Sequence, residues 1–167
     1  MRTIGLQLRF QDSYDMAVAA GVVEYARTKG QWRLKGQGPL FSETLADCDG
    51  LIARIESEED ARSMAALGIP VIDIANSASG GLFNQVTNDD HQTGVHAARY
   101  LKESGSRNWG WCGVSRVRWA SQRLKGFLEG SGLSIAGVAS FTESLAWWRQ
   151  LYEPSAELEA WLSTLPK

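Results

Sequence analysis

Residues 85–127, QVTNDDHQTGVHAARYLKESGSRNWGWCGVSRVRWASQRLKGF, decide the fold of this chain. A strand-like segment ends at Asn88-Asp89-Asp90, and a helix, a second apolar strand and an Arg-bearing helix follow it. This order places a carboxylate and the Arg123 guanidinium after strands, and ligands of open α/β sheets bind at the carboxyl ends of strands. We therefore expect a cleft for a polar, uncharged ligand rather than a reaction centre.

Strands and helices alternate along the whole chain. The segment 69–74 is rich in β-branched residues, which is typical of a strand buried on both faces of a sheet. The alternation predicts an α/β fold in which helices cover both faces of a doubly wound parallel sheet. The predicted strands are Thr3–Arg9, Trp32–Lys35, Gly50–Arg54, Ile69–Ile74, Asn84–Thr87, Asn108–Val114 and Ile135–Ser140.

Composition argues against several classes of function. The chain has 167 residues, of which 44% are hydrophobic and 22% charged, as in globular chains, and its formal net charge is −2. The sequence has no run of Lys and Arg residues that could contact successive phosphates of a nucleic acid. We therefore expect no nucleic-acid contact through this chain. No apolar stretch reaches the roughly 20 residues that cross a bilayer, and the N-terminus lacks a signal-peptide pattern. We therefore expect a cytoplasmic protein without a membrane partner.

The sequence contains no motif for catalysis or metal binding. It has no Walker loop, no GxGxxG after a strand, no GxSxG and no HExxH. His91 and His96 are five residues apart, whereas a spacing of four places two metal ligands on one helical face. Cys48 and Cys112 are too few and too far apart to predict a zinc site or a disulfide framework. We expect no catalytic residue, no metal and no cofactor.

Hydrogen-bonding side chains fill the loop after the first strand. Gln11, Asp12 and Tyr14 lie there, at a strand end that faces a ligand in this class of fold. Asp12 or Ser13 could instead cap the helix that follows, because short polar side chains accept hydrogen bonds from the first helical amides. Asp15 is expected in the first helical turn as a partner of the helix dipole. Gln11, Asp12 and Tyr14 are predicted ligand contacts.

Two carboxylates precede the helix that starts near His91. Asp89 and Asp90 both suit its N-cap, and since one cap is enough, the other carboxylate would be free for a ligand. A carboxylate accepts hydrogen bonds from two hydroxyl groups, and such charge-assisted bonds are strong. Arg123 lies on an amphipathic helix, so the residues alone leave open whether it is a solvated surface residue or faces the cleft.

Two segments carry a family resemblance. Residues 86–101 (VTNDDHQTGVHAARYL) and 123–127 (RLKGF) resemble the type I periplasmic-binding-protein fold that sugar receptors share with LacI-type repressors. The resemblance implies a first lobe over residues 1–105 and the beginning of a second, truncated lobe over 106–167. It also implies that Asp89 and Arg123 contact a sugar held between the lobes, with Trp119 as a stacking face.

A narrower resemblance is to xylose operon regulators, which are AraC-type activators with a LacI-like N-terminal part. It is carried by YD at 14–15, GV at 21–22, RWA at 118–120 and WL at 161–162. It implies the sugar-sensing portion of a homodimeric transcription regulator that binds a monosaccharide such as xylose. The DNA-binding domain would follow the sugar domain and be absent from this chain, which ends after a helix where a doubly wound fold continues with a strand.

Two other functions fit the same sequence. The first is a sugar-binding receptor of a transport system, which an ATP-driven permease as its partner would support. The second is an enzyme on a flavodoxin-like sheet, which a co-purifying cofactor or a measured turnover would support. We predict the regulator and expect no enzymatic activity.

Overall fold

A computed structural model describes residues 1–10, 12–38, 41–42, 45–77, 81–144 and 155–166 of the chain. Contacts between Cα atoms divide the chain into two compact units, Met1–Thr87 and Asn88–Lys167. Across the described ranges, no helix combines the length and the apolar composition needed to span a membrane.

The first unit is built around one sheet. Its elements are β1 (Thr3–Gln7), α1 (Ser13–Tyr25), β2 (Arg33–Gly38), β3 (Phe41–Ser42), β4 (Gly50–Ala53), α2 (Glu58–Ala65), β5 (Val71–Asp73) and β6 (Asn84–Gln85). The strands lie in the order β3-β2-β1-β4-β5-β6, and neighbouring strands are parallel except β2 and β3. The predicted α/β fold with a parallel sheet is confirmed. The short antiparallel strand β3 was not predicted.

Apolar side chains cover both faces of this sheet. Successive residues of a strand point to opposite faces, and in β4 Leu51 and Ile52 accordingly pack with two different apolar clusters. One cluster joins α1 to the sheet through Ala19 and Leu6. The other joins α2 to the sheet through Ala61, which packs with Leu51. Because both faces carry helices, the carboxyl ends of the strands are the edge at which a ligand can bind.

Side-chain caps determine where both helices of this unit begin. The Asp12 carboxylate accepts a hydrogen bond of 2.8 Å from the Tyr14 amide, so Asp12 rather than Ser13 is the cap of α1. At α2, Ser57 and Asp60 exchange reciprocal hydrogen bonds with each other's backbone amides. A cap of this kind stabilises a helix by about 1 kcal/mol.

The second unit contains α3 (Asp90–Glu103), β7 (Gly110–Val114), α4 (Arg118–Ser131), β8 (Ala139–Glu143) and α5 (Ala156–Thr164). Strands β7 and β8 pair in parallel. The prediction that the last strand begins at Ile135 is wrong, because Ile135–Gly137 form a 3₁₀ turn. The Gly137 amide donates to the Ser134 carbonyl at 2.9 Å and closes that turn, so the strand starts at Ala139 and continues to Glu143.

Glycines allow α3 and α4 to pack backbone against backbone. A Cβ at Gly94 would lie 2.0 Å from the Arg123 carbonyl oxygen, and a Cβ at Gly126 would lie 1.9 Å from the His91 carbonyl oxygen. This contact groups α3 with α4, so the division between the two units falls before α3. The predicted lobe boundary at 105/106 falls after α3 and stays a prediction.

Three of the described tryptophans of the second unit pack against phenylalanine rings. Trp109 and Trp111 pack against Phe127 with ring centroids 5.7 and 5.5 Å apart. Trp161 packs against Phe141 at 5.5 Å. These ring contacts stabilise the unit through the apolar area that they bury.

Candidate functional site

The order of the strands creates a topological switch point at β1. This strand pairs with β2 on one side and with β4 on the other, and the helices that follow β1 and β4 cover opposite faces of the sheet. In open α/β sheets the crevice outside such neighbouring strand ends is where ligands bind. The loops after β1 and β4 therefore form the candidate site of the first unit.

A buried ion pair lies at this switch point. The Asp15 side chain is 0% exposed, and Arg54, the residue after β4, donates from Nε to both of its oxygens at 2.9 Å. The same carboxylate accepts the Arg9 amide at 2.6 Å. From the sequence, Asp15 was expected only as a partner of the helix dipole, and the structure shows it as the counter-ion of Arg54. One carboxylate thus connects the end of β4 with both the start of the loop after β1 and helix α1.

Further charges extend the pair into a network. Arg54 Nη1 lies 3.4 Å from Glu56 Oε1, Arg54 Nη2 lies 3.6 Å from Asp12 Oδ2, and Arg9 pairs with Glu56. Burial by itself would lower the pKa of the Arg54 guanidinium. The hydrogen bond and charge of Asp15 and the charges of Asp12 and Glu56 outweigh it and raise that pKa above its ordinary value. Three carboxylates facing two guanidinium groups give this network one net negative charge, which disfavours an anionic ligand.

Two of the predicted contacts lie at this edge, and a third, Gln11, lies outside the described residues. The side chain of Asp12 remains 40% exposed although it caps α1. The Tyr14 hydroxyl donates to the Ile74 carbonyl at 3.3 Å, and its ring centroid lies 5.5 Å from the Arg54 guanidinium carbon. Asp12 and Tyr14 are therefore both at the switch point. Their contact with a ligand stays a prediction.

Two more polar side chains end strands at the same edge. Gln7 Oε1, at the end of β1, is buried and has no hydrogen-bond partner among the described residues. Asp73, at the end of β5, is fully buried and accepts from the Ala75 amide at 2.8 Å and from Gln85 Nε2 at 2.7 Å. Asp73 therefore organises the loop that follows β5. Gln7 Oε1, in contrast, is a hydrogen-bond acceptor at the switch point that no described residue satisfies.

In the second unit, Arg123 is held between a carboxylate and an indole ring. Its Nε and Nη2 both lie 2.8 Å from Oδ1 of Asp90. Its guanidinium carbon lies 4.9 Å from the centroid of Trp119, at a distance where the cation attracts the ring face. The Arg123 side chain is 35% exposed, and its Nη1 has no hydrogen-bond partner in the described part of the chain. That nitrogen is therefore able to donate to a ligand.

The two adjacent carboxylates have separate roles. Asp89 caps α3, with Oδ1 accepting the Gln92 amide at 2.9 Å. The expectation that the second carboxylate would be free for a ligand is wrong, because Asp90 is buried against Arg123 and forms an ion pair with it. Arg123 thus reaches the surface with its position already fixed by Asp90. Ligand contact by Asp89, Arg123 and Trp119 stays a prediction.

A cleft of about 310 Å³ lies beside the turn between β7 and α4. Trp111, Val114 and Leu124 form its apolar wall, and Arg116, Arg118 and Ser121 contribute its polar rim. Arg123 and Trp119 do not line it. A wall of this composition suits an apolar group better than a sugar, so the cleft adds nothing to the predicted contacts.

The described residues contain no group of three His, Cys, Asp or Glu side chains that could hold a metal ion. Cys48 is buried and Cys112 exposed, and neither forms a disulfide bond. Partial burial and the nearby charge of Glu143 raise the pKa of the Cys112 thiol, which makes it a weaker nucleophile at neutral pH.

Sequence reasoning missed the ionic part of the candidate site. Arg54 and Glu56 were not singled out, and the ion pair of Asp90 with Arg123 was not predicted. One signal was available, since charged residues follow both β1 and β4 almost immediately, at Arg9 and Arg54. The adjacency of β1 and β4, which turns these residues into one network, is visible only in the sheet.

Solved structures share this fold. The xylose-binding transcription activator XylR is 21% identical over 99% of this chain and 44% of that chain, with a TM-score of 0.72. A periplasmic binding protein/LacI transcriptional regulator from Alkaliphilus metalliredigens, complexed with D-xylulofuranose, is 21% identical over 98% and 65%, with a TM-score of 0.70. The chain has the fold of LacI-type and periplasmic-binding-protein domains.

A third similar structure comes from a transport system. It is a periplasmic solute-binding protein of an ABC transporter from Actinobacillus succinogenes with bound D-allose, 18% identical over 86% of this chain and 59% of that chain, with a TM-score of 0.62. The chain spans 44% to 65% of the three structures. No family model matches the sequence, and no curated protein matches it. These similar proteins are sugar-responsive regulators and sugar-binding proteins, whereas the AraC-type assignment and the identity of the sugar stay predictions.

Proposed function

We propose that this chain is the sugar-sensing part of a transcription regulator and binds a monosaccharide at the carboxyl ends of its parallel strands. The observation that carries the proposal is the net-negative cluster at the β1 switch point, beside the half-exposed Asp12 carboxylate and the Tyr14 ring. Carboxylates accept hydrogen bonds from hydroxyl groups, and aromatic faces pack on apolar faces of ligands. An uncharged polyol fits these groups better than a phosphate or another anion.

All six predicted contacts keep their role in the proposal. Asp12 would accept sugar hydroxyls, Tyr14 would offer its ring, and Arg123 would donate from Nη1 while Asp90 holds it in place. Xylose is the first sugar to test, because XylR is named as xylose-binding and another similar structure holds D-xylulofuranose. The remaining proposed contacts are Gln11, Asp89 and Trp119.

Properties beyond the sugar site are proposed for a longer protein. In this proposal the regulator is cytoplasmic and homodimeric, and it contacts DNA through a C-terminal AraC-type domain of the longer protein. The proposal includes no membrane partner, no cofactor and no enzymatic activity. Sugar binding would act by favouring one of two conformations, and the shift is limited by the difference in affinity for them.

A thermal-shift titration tests the proposal. We expect D-xylose, or another of D-ribose, D-allose and D-xylulose, to raise the melting temperature of this chain. A ligand at 100 times its Kd adds about 2.7 kcal/mol to the free energy of unfolding, which corresponds to roughly 8 °C for a chain of this size. Sugar phosphates are expected to give a smaller shift, since the network carries a net negative charge.

A matched pair of variants shows where the sugar binds. Asp12→Ser keeps a residue able to cap α1 and removes the carboxylate, so we expect normal folding and a reduced sugar-induced shift. Asp47→Ser is the control, because Asp47 is an exposed carboxylate in the 3₁₀ turn before β4, away from the carboxyl ends. If none of the sugars raises the melting temperature, or if both variants respond like the natural chain, the proposed site is wrong.

A sugar-binding receptor of a transport system is the second candidate. The observation that favours it is the similarity to a solute-binding protein that holds D-allose. Sugar binding alone does not separate the two functions. Fractionation of cells that express the full-length protein does so, because a receptor is exported whereas the proposed regulator stays in the cytoplasm and is retained on its operator DNA.

A further inference from the structure

We infer that Arg54 is a positioning residue of the sugar site. Its guanidinium would hold the loop after β1 and the first turn of α1, residues 9–15, in the geometry that presents Asp12 and Tyr14. The binding role rests on the proposed function, while the ordering of the loop does not depend on any ligand. Arg54 is not among the predicted contacts, and it acts through its neighbours.

The contacts of Arg54 show why it does not itself bind the ligand. The side chain is only 14% exposed. Nε and Nη2 donate to Asp15, Nη1 faces Glu56 at 3.4 Å, and Nη2 lies 3.6 Å from Asp12. All three nitrogens are therefore engaged by carboxylates. A guanidinium in this state orients those carboxylates and has little capacity left for a sugar.

Arg54 is connected to the described residues of the segment 9–15 through Asp15, Asp12 and Tyr14. Asp15, the counter-ion, also accepts the Arg9 amide at 2.6 Å, which anchors the start of the loop. The Asp12 amide donates to the Arg9 carbonyl at 2.9 Å, and the Asp12 carboxylate faces Arg54. The Tyr14 ring lies 5.5 Å from the guanidinium carbon. Displacement of the guanidinium would therefore loosen both predicted contacts together.

The planar fork of arginine is what this position requires. A guanidinium donates in several fixed directions, whereas the ammonium of lysine is a compact charge on a flexible stem. Arg54 reaches Asp15 and Glu56 from different nitrogens, and one ammonium cannot reproduce both contacts. Arg54→Lys therefore keeps the charge that buried Asp15 needs and removes the geometry. This variant separates positioning from charge compensation.

Hydrogen exchange followed by mass spectrometry tests the ordering without any sugar. In Arg54→Lys of the full chain, we expect amides in 9–15 to exchange about tenfold faster, because hydrogen bonds to a charged group are weakened. Peptides from α3 and α4 should exchange as in the natural chain. Arg27→Lys is the matched control, since Arg27, two residues beyond the end of α1, pairs with Glu24 at 2.9 Å and is 74% exposed. Unchanged exchange over 9–15 in Arg54→Lys would overturn the inference.

Titration calorimetry with D-xylose, D-ribose and D-allose tests the consequence for binding. We expect Arg54→Lys to weaken the affinity for the bound sugar about tenfold, and Arg27→Lys to leave it unchanged. If Arg54→Lys exchanges faster over 9–15 but binds the sugar with unchanged affinity, Arg54 stabilises the loop without contributing to sugar binding. That result would overturn its role in binding. If the natural chain binds no sugar, the proposed function fails, and exchange over 9–15 still decides whether Arg54 orders the loop.

A milder variant covers the case in which Arg54→Lys does not fold. Glu56→Gln removes the charge that faces Nη1 and that also pairs with Arg9, and it leaves the Asp15–Arg54 pair in place. We expect a smaller rise in exchange over 9–15, about threefold, with the same sign of change in sugar affinity. No change in either measurement would contradict the inference.

Discussion

Arg123 Nε donates a hydrogen bond of 2.8 Å to Oδ1 of Asp90 across the contact between α3 and α4. The two partners differ in exposure, since the Asp90 side chain is 4% exposed and that of Arg123 is 35% exposed. Close to this pair, Gly94 lets the backbone of α3 touch the Arg123 carbonyl. The ion pair and the glycine contact therefore fix the same part of α4.

The unequal exposure predicts unequal losses of stability. Arg123→Ala removes the guanidinium that pairs with the buried Asp90 carboxylate. We expect this change to lower the free energy of unfolding by about 3 kcal/mol. Asp90→Asn leaves a guanidinium that water already reaches, so the expected loss is about 1 kcal/mol. Urea unfolding followed by tryptophan fluorescence measures both, because six of the seven tryptophans lie beyond residue 88. Equal losses would show that burial of Asp90 does not control the pair.

A surface pair provides the control for that comparison. Arg99 Nε lies 3.9 Å from Glu103 Oε1 on α3, and both side chains are more than 60% exposed. Exposed pairs at this spacing contribute about 0.5 kcal/mol or less. Arg99→Ala should therefore unfold at nearly the same urea concentration as the natural chain.

The alternation of elements predicted the fold class because hydrophobic periodicity and turn residues are local signals. The run at 69–74 and the apolar positions of the helices are enough to indicate a parallel sheet covered on both faces. Strand ends were less predictable. Apolar Ile135 looked like the start of a strand, but the hydrogen bond between Gly137 and Ser134 closes a 3₁₀ turn first.

The candidate site was predictable only where its residues are close in sequence. Asp12 and Tyr14 follow a strand directly, so the loop could be selected without the structure. Arg54 and Asp15 are 39 positions apart, and their pairing follows from the order of strands, in which β4 lies beside β1. The choice between Asp89 and Asp90 as the helix cap needed the position of Arg123, which lies 33 residues beyond Asp90.

The glycine contact between α3 and α4 predicts that substitution by alanine changes the free energy of unfolding very differently at different helical glycines. Gly94→Ala and Gly126→Ala each place a Cβ within 2.0 Å of a backbone carbonyl oxygen, and we expect each to cost about 3 kcal/mol. Gly21→Ala is the matched control in α1, where an added Cβ meets no atom within 4 Å. It should stabilise the chain by about 0.5 kcal/mol, because alanine favours the helix. Urea unfolding followed by far-UV circular dichroism tests all three, and losses of similar size would contradict the packing.

The two possible roles of Asp89 can be separated by a change that retains the cap. Asp89→Ala removes the acceptor of the Gln92 amide, and we expect a loss of about 1 kcal/mol. Asp89→Ser keeps an acceptor at the N-cap, so its stability should be close to that of the natural chain. If the carboxylate contacts a sugar, both variants weaken the sugar-induced thermal shift. A shift that Asp89→Ser leaves intact would assign Asp89 to the cap alone.

Cys112 provides a prediction that depends on pH. Partial burial and the charge of Glu143 raise the pKa of its thiol, and only the thiolate reacts with iodoacetamide. Because a raised pKa lowers the thiolate fraction at a given pH, alkylation of Cys112 should be slow at pH 8. The midpoint of its pH–rate profile should lie above that of an unperturbed cysteine. Cys48 is 5% exposed and should react only after unfolding, so the native signal belongs to Cys112.

Glu143→Gln identifies the electrostatic part of that effect. Glu143 ends β8 opposite Val114 in the parallel pair of strands, and its carboxylate opposes ionisation of the thiol on β7. Removing the charge should lower the pKa of Cys112 toward its ordinary value, so the pH–rate midpoint falls and alkylation at pH 8 becomes faster. In urea the natural chain and the variant should react alike, because unfolding separates the two strands. A midpoint that does not move in Glu143→Gln would attribute the raised pKa to burial alone.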